Sequence, residues 1–399
     1  MKKLSIRDIE VAGKEVLMRC DFNVPLKDGA ITDDTRIEAA LPSIKLLLDK
    51  GAKLVLTSHL GRPKGQVNLE YTLKPVAVRL SELLELEVGF AEDTIGEAAM
   101  SLRNNLENGQ VVLLENTRFA EEETTNDTTF SKALAGEADI FVNNAFGTAH
   151  RAHASTVGVT EFVSQSAMGM LVEKELDFLV NKLESPESPF AVIVGGKKVS
   201  DKIKVIDKLL DKADIMIIGG AMTYTFRKAQ GYELGNSLVE PDFVELAGQL
   251  MEKAKKNGVQ FCLPKNTRIA QEFSPTAETR CTIEYGEDMN VIPEGWEGID
   301  IGDEAIIEYC EILKGCKTVL WNGPMGVFEL DNFAHGTKAV AETLSEIDGT
   351  VILGGGDSVT AANKFGVGEK MTFLSTGGGS SLQLLEGKPL PGVEALTNA

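Results

Sequence analysis

A chain of 399 residues exceeds the size at which single hydrophobic cores usually stop growing, so the sequence predicts two domains. The net charge of −20 argues against a nucleic-acid partner, and the longest apolar runs are far too short to span a bilayer. The N-terminus lacks the apolar stretch of a secretory signal, and the five cysteines show no C-x-x-C spacing, which favours reduced thiols in the cytoplasm over disulfides or structural zinc.

Short apolar, β-branched runs alternate with helix-length segments along nearly the whole chain. The first half contains candidate strands at residues 16–20, 54–57, 111–114 and 140–143. The second half contains candidate strands at residues 191–194, 215–218, 260–263, 318–321, 351–353 and 371–374. Strands this apolar, separated by helices, predict an α/β protein with two doubly wound, Rossmann-like parallel sheets.

An amphipathic segment over residues 170–183 separates the two halves, and it ends in the turn-rich sequence ESPESP. We therefore expect an N-terminal domain of residues 1–169, a linking helix at 170–185 and a C-terminal domain of residues 186–388. Residues 389–399 form a short extended tail, which we expect to pack back on the N-terminal domain.

The arginines are concentrated in the first half, where eight of eleven precede residue 152. Several of them, with polar residues, follow the predicted strands. Because the carboxyl ends of parallel strands meet at one edge of a sheet, we expect these groups to share an anionic target: Arg36, His59, Arg62, Arg118 and Arg151. The alternative for each arginine is a surface ion pair. A metal pair at His150-x-x-His153 is disfavoured, because no nearby Cys or carboxylate completes it.

Doubled and tripled glycines occur only in the second half, at or near predicted strand ends, at 195–196, 219–220, 354–356 and 377–379. A fifth turn, NGPMG, spans 322–326. Glycine lets backbone N–H groups approach phosphate, so together these turns predict a nucleotide site, although Walker A and G-x-G-x-x-G spacings are absent. Asp357 is a candidate Mg²⁺ ligand or a helix N-cap. If a helix begins here, Lys198 and Lys202 share one face of it, where they either reach phosphate or are solvated.

Nine segments of the chain match motifs of one family. They read DFNVP (21–25), SHLGRP (58–63), ENTRF (115–119), AFGTAHRAHAS (145–155), KVSDKI (198–203), KAQGYE (228–233), WNGPMGVFE (321–329), GGGDSV (354–359) and STGGG (375–379). With these motifs the chain resembles the phosphoglycerate kinase family over essentially its full length.

The resemblance implies reversible phosphoryl transfer from 1,3-bisphosphoglycerate to MgADP, which gives ATP and 3-phosphoglycerate. It implies Mg²⁺ with ADP or ATP, a monomer, and closure of two domains about a hinge. The alternative is a paralogue that binds nucleotide or sugar phosphate without turnover.

The resemblance also assigns site residues. The implied catalytic residues are Arg36, Lys198, Gly356 and Gly379. The implied substrate-binding residues are Asp21, Phe22, Asn23, Arg36, His59, Leu60, Gly61, Arg62, Arg118 and Arg151, with His150 and His153 as supports. The implied nucleotide-binding residues are Gly196, Lys202, Gly220, Gly298, Asn322, Pro324, Glu329, Gly355, Gly356, Asp357 and Ser358, of which Asp357 is the Mg²⁺ ligand.

The chain departs from the family pattern at a few positions. Asn144 stands where the family usually has Asp. The other departures lie in the nucleotide half and bear on nucleotide affinity and base preference: Lys197, Ala221, Thr223, Lys265, Asn266 and Asp303. Lys197 adds a positive charge and Asn266 removes a negative one, and both changes would favour polyphosphate if they face the site.

Overall fold

The computed structural model describes residues 2–399 and divides the chain into two units, each built around a six-stranded parallel sheet. The N-terminal unit runs to Asp177 and also includes Lys388–Ala399, whereas the C-terminal unit covers Phe178–Gly387. The predicted α/β class and its two doubly wound sheets are confirmed. Within residues 2–399 the structure has no helix that could serve as a membrane span.

The main sheet of the N-terminal unit consists of strands that are mostly buried on both faces, which explains their nearly unbroken apolar sequences. The strands are β1 (Glu15–Arg19), β4 (Lys53–Thr57), β5 (Val88–Phe90), β6 (Val111–Leu113), β7 (Ile140–Asn143) and β8 (Gln165–Met168), and a small hairpin adds β2 (Leu26–Lys27) and β3 (Ala30–Ile31). The order across the sheet is β5-β6-β4-β1-β7-β8, and every neighbouring pair is parallel.

Five helices cover this sheet or cross its carboxyl edge: α1 (Thr35–Asp49), α2 (Lys74–Leu84), α3 (Glu97–Asn104), α4 (Glu122–Thr125) and α5 (Thr128–Ala135). Short 3₁₀ turns lie at Leu69–Tyr71, Thr117–Phe119, Phe146–Thr148 and Gly158–Phe162. Asp127 caps α5 by accepting the Phe130 N–H at 2.8 Å.

The strand order of the N-terminal unit reverses between β1 and β7. The chain leaves β1 for β4 on one side of the sheet, and it leaves β7 for β8 on the other side. The two outgoing connections diverge, so they open a crevice at the carboxyl ends of β1 and β7. The segments that follow these two strands therefore flank the place where such a sheet binds its ligand.

The segment predicted as one linking helix is helical but not uniform. It consists of α6 (Met170–Leu176), a π-helical turn (Asp177–Asn181) and α7 (Lys182–Glu184). The run from Met170 to Glu184 is thus helical throughout, with the π-helical turn as its one irregularity. The division between the two units falls inside this run, after Asp177.

The main sheet of the C-terminal unit has the order β12-β10-β9-β17-β18-β19 and is parallel throughout. In chain order the unit's strands are β9 (Phe190–Val194), β10 (Ile215–Ile218), β11 (Glu233–Leu234), β12 (Gln260–Cys262), β13 (Thr267–Ala270), β14 (Arg280–Cys281), β15 (Asn290–Ile292), β16 (Glu297–Ile301), β17 (Thr318–Asn322), β18 (Thr350–Leu353) and β19 (Phe373–Leu374). An antiparallel sheet of β14, β13 and β16 stands apart and was not predicted.

The helices of this unit are α8 (Ile203–Leu209), α9 (Met222–Ala229), α10 (Val244–Asn257), α11 (Asp303–Lys314), α12 (His335–Leu344), α13 (Gly356–Lys364) and α14 (Gly379–Leu385). Shorter 3₁₀ turns lie at Pro241–Phe243, Asp331–Phe333 and Gly368–Lys370. The strand order reverses between β9 and β17, because β9 leads to β10 on one side and β17 leads to β18 on the other. The switch point thus lies between the Gly195-Gly196 turn and the Asn322–Gly326 turn.

The C-terminal tail belongs to the N-terminal unit. It contains a short helix, α15 (Pro391–Glu394), and Gly392 donates its N–H to the Ala149 carbonyl at 2.8 Å. Asn143 Nδ2 donates to the Gly392 carbonyl at 2.9 Å. Lys3 Nζ donates to the carbonyls of Glu394 and Leu396, both at 2.8 Å. The tail therefore packs on the segment that follows β7.

Candidate functional site

Asp21 and Arg36 come from two neighbouring parts of the N-terminal crevice. Asp21 lies two residues after the end of β1, and Arg36 is the second residue of α1. Arg36 Nη1 donates to Asp21 Oδ2 at 2.8 Å. The Arg36 side chain stays 41% exposed, so the carboxylate holds the guanidinium while leaving part of it open to a ligand.

The loops after β1, β4 and β6 are joined by hydrogen bonds through Gly61. Asn23 Oδ1 accepts the Gly61 N–H at 2.8 Å, and Arg118 Nη1 donates to the Gly61 carbonyl at 2.8 Å. The Asn116 amide bonds both backbone groups of Leu60, accepting its N–H at 3.2 Å and donating to its carbonyl at 2.8 Å. The residues that the sequence predicted to share a ligand, at the ends of β1, β4 and β6, therefore lie in one cluster.

Phe22 and Arg62 occupy opposite environments within this cluster. Phe22 is fully buried, and its N–H donates to Ser58 Oγ at 2.9 Å, which fixes the backbone between Asp21 and Asn23. Arg62 is exposed, but its charge reaches Arg118, whose pKa it helps to lower. Phe22 is thus a core residue that positions its neighbours rather than a ligand contact.

The cationic character of the cluster is visible at His59, which is 4% exposed. Burial first, and then the positive charges of Arg19, Arg118, Arg36 and Arg151, hold the pKa of His59 well below its ordinary value. Burial and the charges of Arg19, Arg151 and Arg62 also lower the pKa of Arg118 to about 10. A cluster with so many positive charges and so few carboxylates is suited to binding a multiply charged anion.

His150, Arg151 and His153 follow β7 as predicted, and the histidines do not form a metal site. Arg151 Nε donates to His150 Nε2 at 3.1 Å. His153 Nδ1 lies 3.8 Å from Glu123 Oε1, too far for a hydrogen bond. Burial and the charges of Arg118, Arg19 and Arg151 outweigh that carboxylate and lower the pKa of His153 to about 4. Within residues 2–399 no group of three or more His, Cys, Asp or Glu side chains could hold a metal.

Two buried charged residues in this cluster were missed by sequence reasoning: Arg19, the last residue of β1, and Glu123 of α4. Both are 0% exposed. Ser155 connects them, because it accepts from Arg19 Nε at 2.7 Å and donates to Glu123 Oε1 at 2.6 Å. The available signal was an arginine inside the otherwise apolar run VLMRC, which a buried strand tolerates only when the charge is paired.

The glycine turns of the C-terminal unit lie where the sequence predicted, along the carboxyl edge of its parallel sheet. At the switch point the Gly195 N–H donates to the Asn322 carbonyl at 3.0 Å, and a side chain on either Gly195 or Gly323 would collide with the backbone of the facing turn. Gly323 has φ +105°, which only glycine adopts readily. These turns need glycine both for their conformation and for their close approach.

Lys202, Asn322 and Asp357 meet at this switch point. Lys202 Nζ donates to Asn322 Oδ1, and Asn322 Nδ2 is buried without a hydrogen-bond partner. Burial lowers the pKa of Lys202, and the charge of Asp357 opposes that change. Helix α8 begins only at Ile203, so Lys198 lies outside it and is exposed. Lys198 and Lys202 were expected to share a helix face only if a helix began at Lys198, and that condition is not met.

Helix α13 begins at Gly356, directly after β18, and its N-cap is Gly355 with φ +91°. Asp357 therefore lies in the first turn and is exposed, so the alternative reading of Asp357 as the N-cap was wrong. Ser358 Oγ accepts the Gly323 N–H at 2.6 Å and ties the two turns together. Gly379 likewise begins α14, after the N-cap Gly378.

The remaining predicted nucleotide residues are distributed along this edge and beside it. Gly196 and Gly220 contact each other, and the Gly220 N–H donates to the Met325 carbonyl at 2.8 Å, next to Pro324. Gly298 lies on β16, outside the parallel sheet, where a Cβ would collide with the Tyr224 hydroxyl. Glu329 is exposed, and its carbonyl accepts from Lys364 Nζ at 3.3 Å.

The departures from the family pattern have different surroundings. Asn266 is buried, accepts the Ala305 N–H at 3.2 Å and donates to Glu304, so its side chain joins the start of α11 rather than a ligand site. Asp303 pairs with Arg268 at 2.5 Å. Lys197 is exposed. Thr223, like Ala221, follows the Gly219-Gly220 turn, and its hydroxyl is buried without a partner.

Asn144 is buried beneath the start of the linking segment. Its Oδ1 accepts from Ser43 Oγ at 3.0 Å and from the Leu171 N–H at 3.1 Å, while Ser43 Oγ accepts the Met170 N–H at 2.9 Å. Asn144 Nδ2 is buried without a hydrogen-bond partner. This departure therefore affects how α6 begins and not the arginine cluster around His59.

Comparisons with known proteins agree with this geometry. A family model described as phosphoglycerate kinase matches residues 6–388. The phosphoglycerate kinase of Akkermansia muciniphila is 60% identical over 398 residues, which span 100% of this chain and 98% of that protein. The phosphoglycerate kinase of Clostridium novyi is 55% identical over 400 residues, which span 100% of this chain and 99% of that protein. Solved phosphoglycerate kinase structures from Coxiella burnetii and Pyrococcus horikoshii OT3 match with TM-scores of 0.90 and 0.83 at 38% and 33% identity, each spanning 98% of both chains.

Proposed function

The chain belongs to the phosphoglycerate kinase family, and on that premise we propose which of its residues transfer the phosphoryl group between 3-phosphoglycerate and nucleotide. The enzyme is a phosphotransferase whose acceptor is a carboxyl group, and family membership disfavours the alternative of a paralogue without turnover. The observation that carries the residue-level proposal is the arginine cluster around His59, because a three-carbon acid with carboxylate and phosphate groups needs several positive charges within one small crevice.

In this proposal the N-terminal cluster binds 3-phosphoglycerate or 1,3-bisphosphoglycerate. Arg62, Arg118 and Arg151 neutralise its anionic groups, and Asp21 and Asn23 orient the substrate. The Asp21–Arg36 contact supports a defined position for Arg36 at the reacting carboxyl end. The residues proposed to bind substrate are those of the predicted set without Phe22, which positions its neighbours: Asp21, Asn23, Arg36, His59, Leu60, Gly61, Arg62, Arg118 and Arg151.

ADP or ATP is proposed to bind at the carboxyl edge of the parallel sheet in the C-terminal unit. The N–H groups at the start of α13 suit phosphate oxygens, and Lys202 adds a positive charge beside them. The exposed Asp357 carboxylate fits Mg²⁺, which is commonly held by one or two carboxylates together with substrate phosphates. When bound, Mg²⁺ would neutralise negative charge on the nucleotide phosphates.

The proposed chemistry needs alignment and charge neutralisation rather than a base. A β-phosphate oxygen of ADP forms a bond to the phosphorus of the acyl phosphate, and the bond from phosphorus to the carboxyl oxygen breaks. Arg36 and Lys198 stabilise the transferring phosphoryl group, together with backbone N–H groups of Gly356 and Gly379. Hinge closure, proposed from the family resemblance, would bring the two ligands in line.

We also propose that the enzyme is a cytoplasmic monomer. The five cysteines carry free thiols, and Cys20, Cys262 and Cys316 are buried, as is usual in a reducing compartment. Light scattering at micromolar concentration should give a mass near 43.0 kDa. A mass of twice that value would contradict the monomer.

The residue assignments are tested by ligand binding and turnover together. ATP-dependent formation of 1,3-bisphosphoglycerate, coupled to NADH oxidation by the next dehydrogenase, should be lost in Arg36→Ala, while 3-phosphoglycerate should still raise the melting temperature of that variant. Asp357→Asn should weaken MgADP binding without changing 3-phosphoglycerate binding. If Asp357→Asn binds MgADP as wild type does, the metal assignment is wrong.

A further inference from the structure

Arg19 and His59 form a fully buried contact at the base of the arginine cluster. Arg19 Nη2 lies 3.0 Å from His59 Nδ1. A guanidinium can only donate, so Nδ1 must be the unprotonated nitrogen and the ring proton must sit on Nε2. We propose that Arg19 is a positioning residue that holds His59 as the neutral Nε2–H tautomer, ready to donate one hydrogen bond to the anion. This inference rests on the proposed function of the cluster as the substrate site.

The other ring nitrogen supports this assignment. Within residues 2–399 the hydrogen bond of the His59 ring is the one at Nδ1, and Nε2 is not among the fully buried polar atoms that lack a partner. Nε2 therefore keeps some access to solvent, where a ligand or water can accept its hydrogen bond. Nε2–H is therefore the group of His59 that is available to a carboxylate or phosphate oxygen.

Arg19 is itself held by a chain of hydrogen bonds that ends on a buried carboxylate. Its Nε donates to Ser155 Oγ at 2.7 Å, and its Nη1 donates to the Cys20 carbonyl. Ser155 donates both its hydroxyl, at 2.6 Å, and its N–H, at 2.9 Å, to Glu123. The Glu123 carboxylate thus supplies the counter-charge that a fully buried arginine needs. The order Glu123–Ser155–Arg19–His59 leaves little freedom for the guanidinium.

After burial, the main causes that lower the pKa of His59 are four positive charges. They come from β1, α1 and the loops after β6 and β7: Arg19, Arg36, Arg118 and Arg151. The charges of Glu123 and Asp21 raise the pKa of Arg19. A neutral donor can orient an anion without changing the number of positive charges that face it. As long as His59 stays neutral, it adds no pH dependence to substrate affinity.

The test begins with the wild-type protein, so that it does not depend on turnover. Long-range ¹H–¹⁵N NMR of the four histidines, with His59 assigned by its loss in His59→Gln, reports the tautomer directly. The expected result is the Nε2–H form without titration between about pH 5.5 and 8. An Nδ1–H form, or titration near the ordinary pKa of histidine, would overturn the inference even if the enzyme is fully active.

A variant separates positioning from a merely structural role. Arg19→Gln is combined with Glu123→Gln, so that no buried carboxylate is left uncompensated, and Glu123→Gln alone is the control. In the double variant His59 should no longer be held as the Nε2–H tautomer, and the KM for 3-phosphoglycerate should rise about tenfold, with kcat nearly unchanged. A ring that stays wholly in the Nε2–H form, or an unchanged KM, would contradict the proposal. If the double variant does not fold, the wild-type NMR result decides.

Discussion

Arg36 donates a 2.8 Å hydrogen bond to the carboxylate of Asp21, so the charge at the start of α1 is held against the segment that follows β1. The pair is partly exposed, and an exposed pair contributes less than about 1 kcal/mol to stability. We therefore expect Asp21→Asn to lower kcat/KM by roughly ten- to a hundredfold through misplacement of Arg36, with the free energy of unfolding nearly unchanged.

The matched control is Asp34→Asn, which breaks a similar 2.8 Å ion pair between Asp34 and Arg79. That variant should keep wild-type kinetics. Steady-state assays and denaturant unfolding of both variants check the prediction. Equal activity of Asp21→Asn and wild type would show that the Asp21–Arg36 contact has no role in the reaction.

Lys198 and Lys197 are neighbouring exposed lysines before α8, so they form a natural pair for mutation. We expect Lys198→Ala to lower kcat by roughly 10²–10³-fold, because it removes a charge that stabilises the transferring phosphoryl group. Lys197→Ala should change kcat by less than about threefold, since this position only departs from the family pattern. Equal losses in the two variants would indicate a general effect of charge and contradict a specific role for Lys198.

His153 predicts a pH dependence of stability for the N-terminal unit. Burial and nearby arginines lower its folded-state pKa to about 4, below the ordinary value of 6.5, so the folded state binds fewer protons than the unfolded state between these values. Stability should therefore fall as the pH is lowered from about 6.5 to 4, by on the order of 3 kcal/mol in total.

The effect is measured as the difference between wild type and His153→Gln, because buried Asp300, with its pKa raised to about 7, contributes in the opposite direction. His153→Gln should lose less stability on acidification than wild type does. Hydrogen exchange in β1 and β7 is a suitable readout, because both tryptophans, Trp296 and Trp321, lie in the other unit. Parallel pH profiles would rule out this role for His153.

Asn144 predicts a loss of stability without a loss of chemistry. Asn144→Ala removes the acceptor for both the Leu171 N–H and the Ser43 hydroxyl, and the buried groups left without partners should destabilise the N-terminal unit by about 1–3 kcal/mol. Asn104→Ala, at an exposed position of α3, is the control. Hydrogen exchange at Met170 and Leu171 should increase in the first variant only. Unchanged exchange there would show that Asn144 does not hold the start of α6.

The sequence predicted the main parallel strands well, because strands covered on both faces must be almost wholly apolar. It missed β5 and β8, since Val88–Phe90 is very short and Gln165–Met168 contains polar residues. It also missed the antiparallel sheet that contains Gly298. The order of strands cannot be read from local pattern, and so the two switch points appeared only in the structure.

For the candidate site, strand-end reasoning predicted the residues that approach a ligand but missed those that hold them. Arg19 left a signal in its apolar strand, but its pairing with Glu123 could not be predicted, because the two residues lie far apart in the chain and are joined by Ser155. Asp357 was placed at the wrong capping position because cap residues are defined by backbone conformation, and Gly355 has the positive φ. Local sequence reports side-chain chemistry more reliably than it reports long-range pairing.

The return of the C-terminal tail to the N-terminal unit has a consequence for how the chain is made. Gly392 bonds Ala149 and Asn143, and Lys3 bonds the tail near Glu394, so the first-synthesised unit cannot complete its contacts until the last residues leave the ribosome. The C-terminal unit, in contrast, is continuous in sequence, so its internal contacts do not depend on the tail. The half of the protein that is translated first thus includes contacts that must wait for residues 388–399.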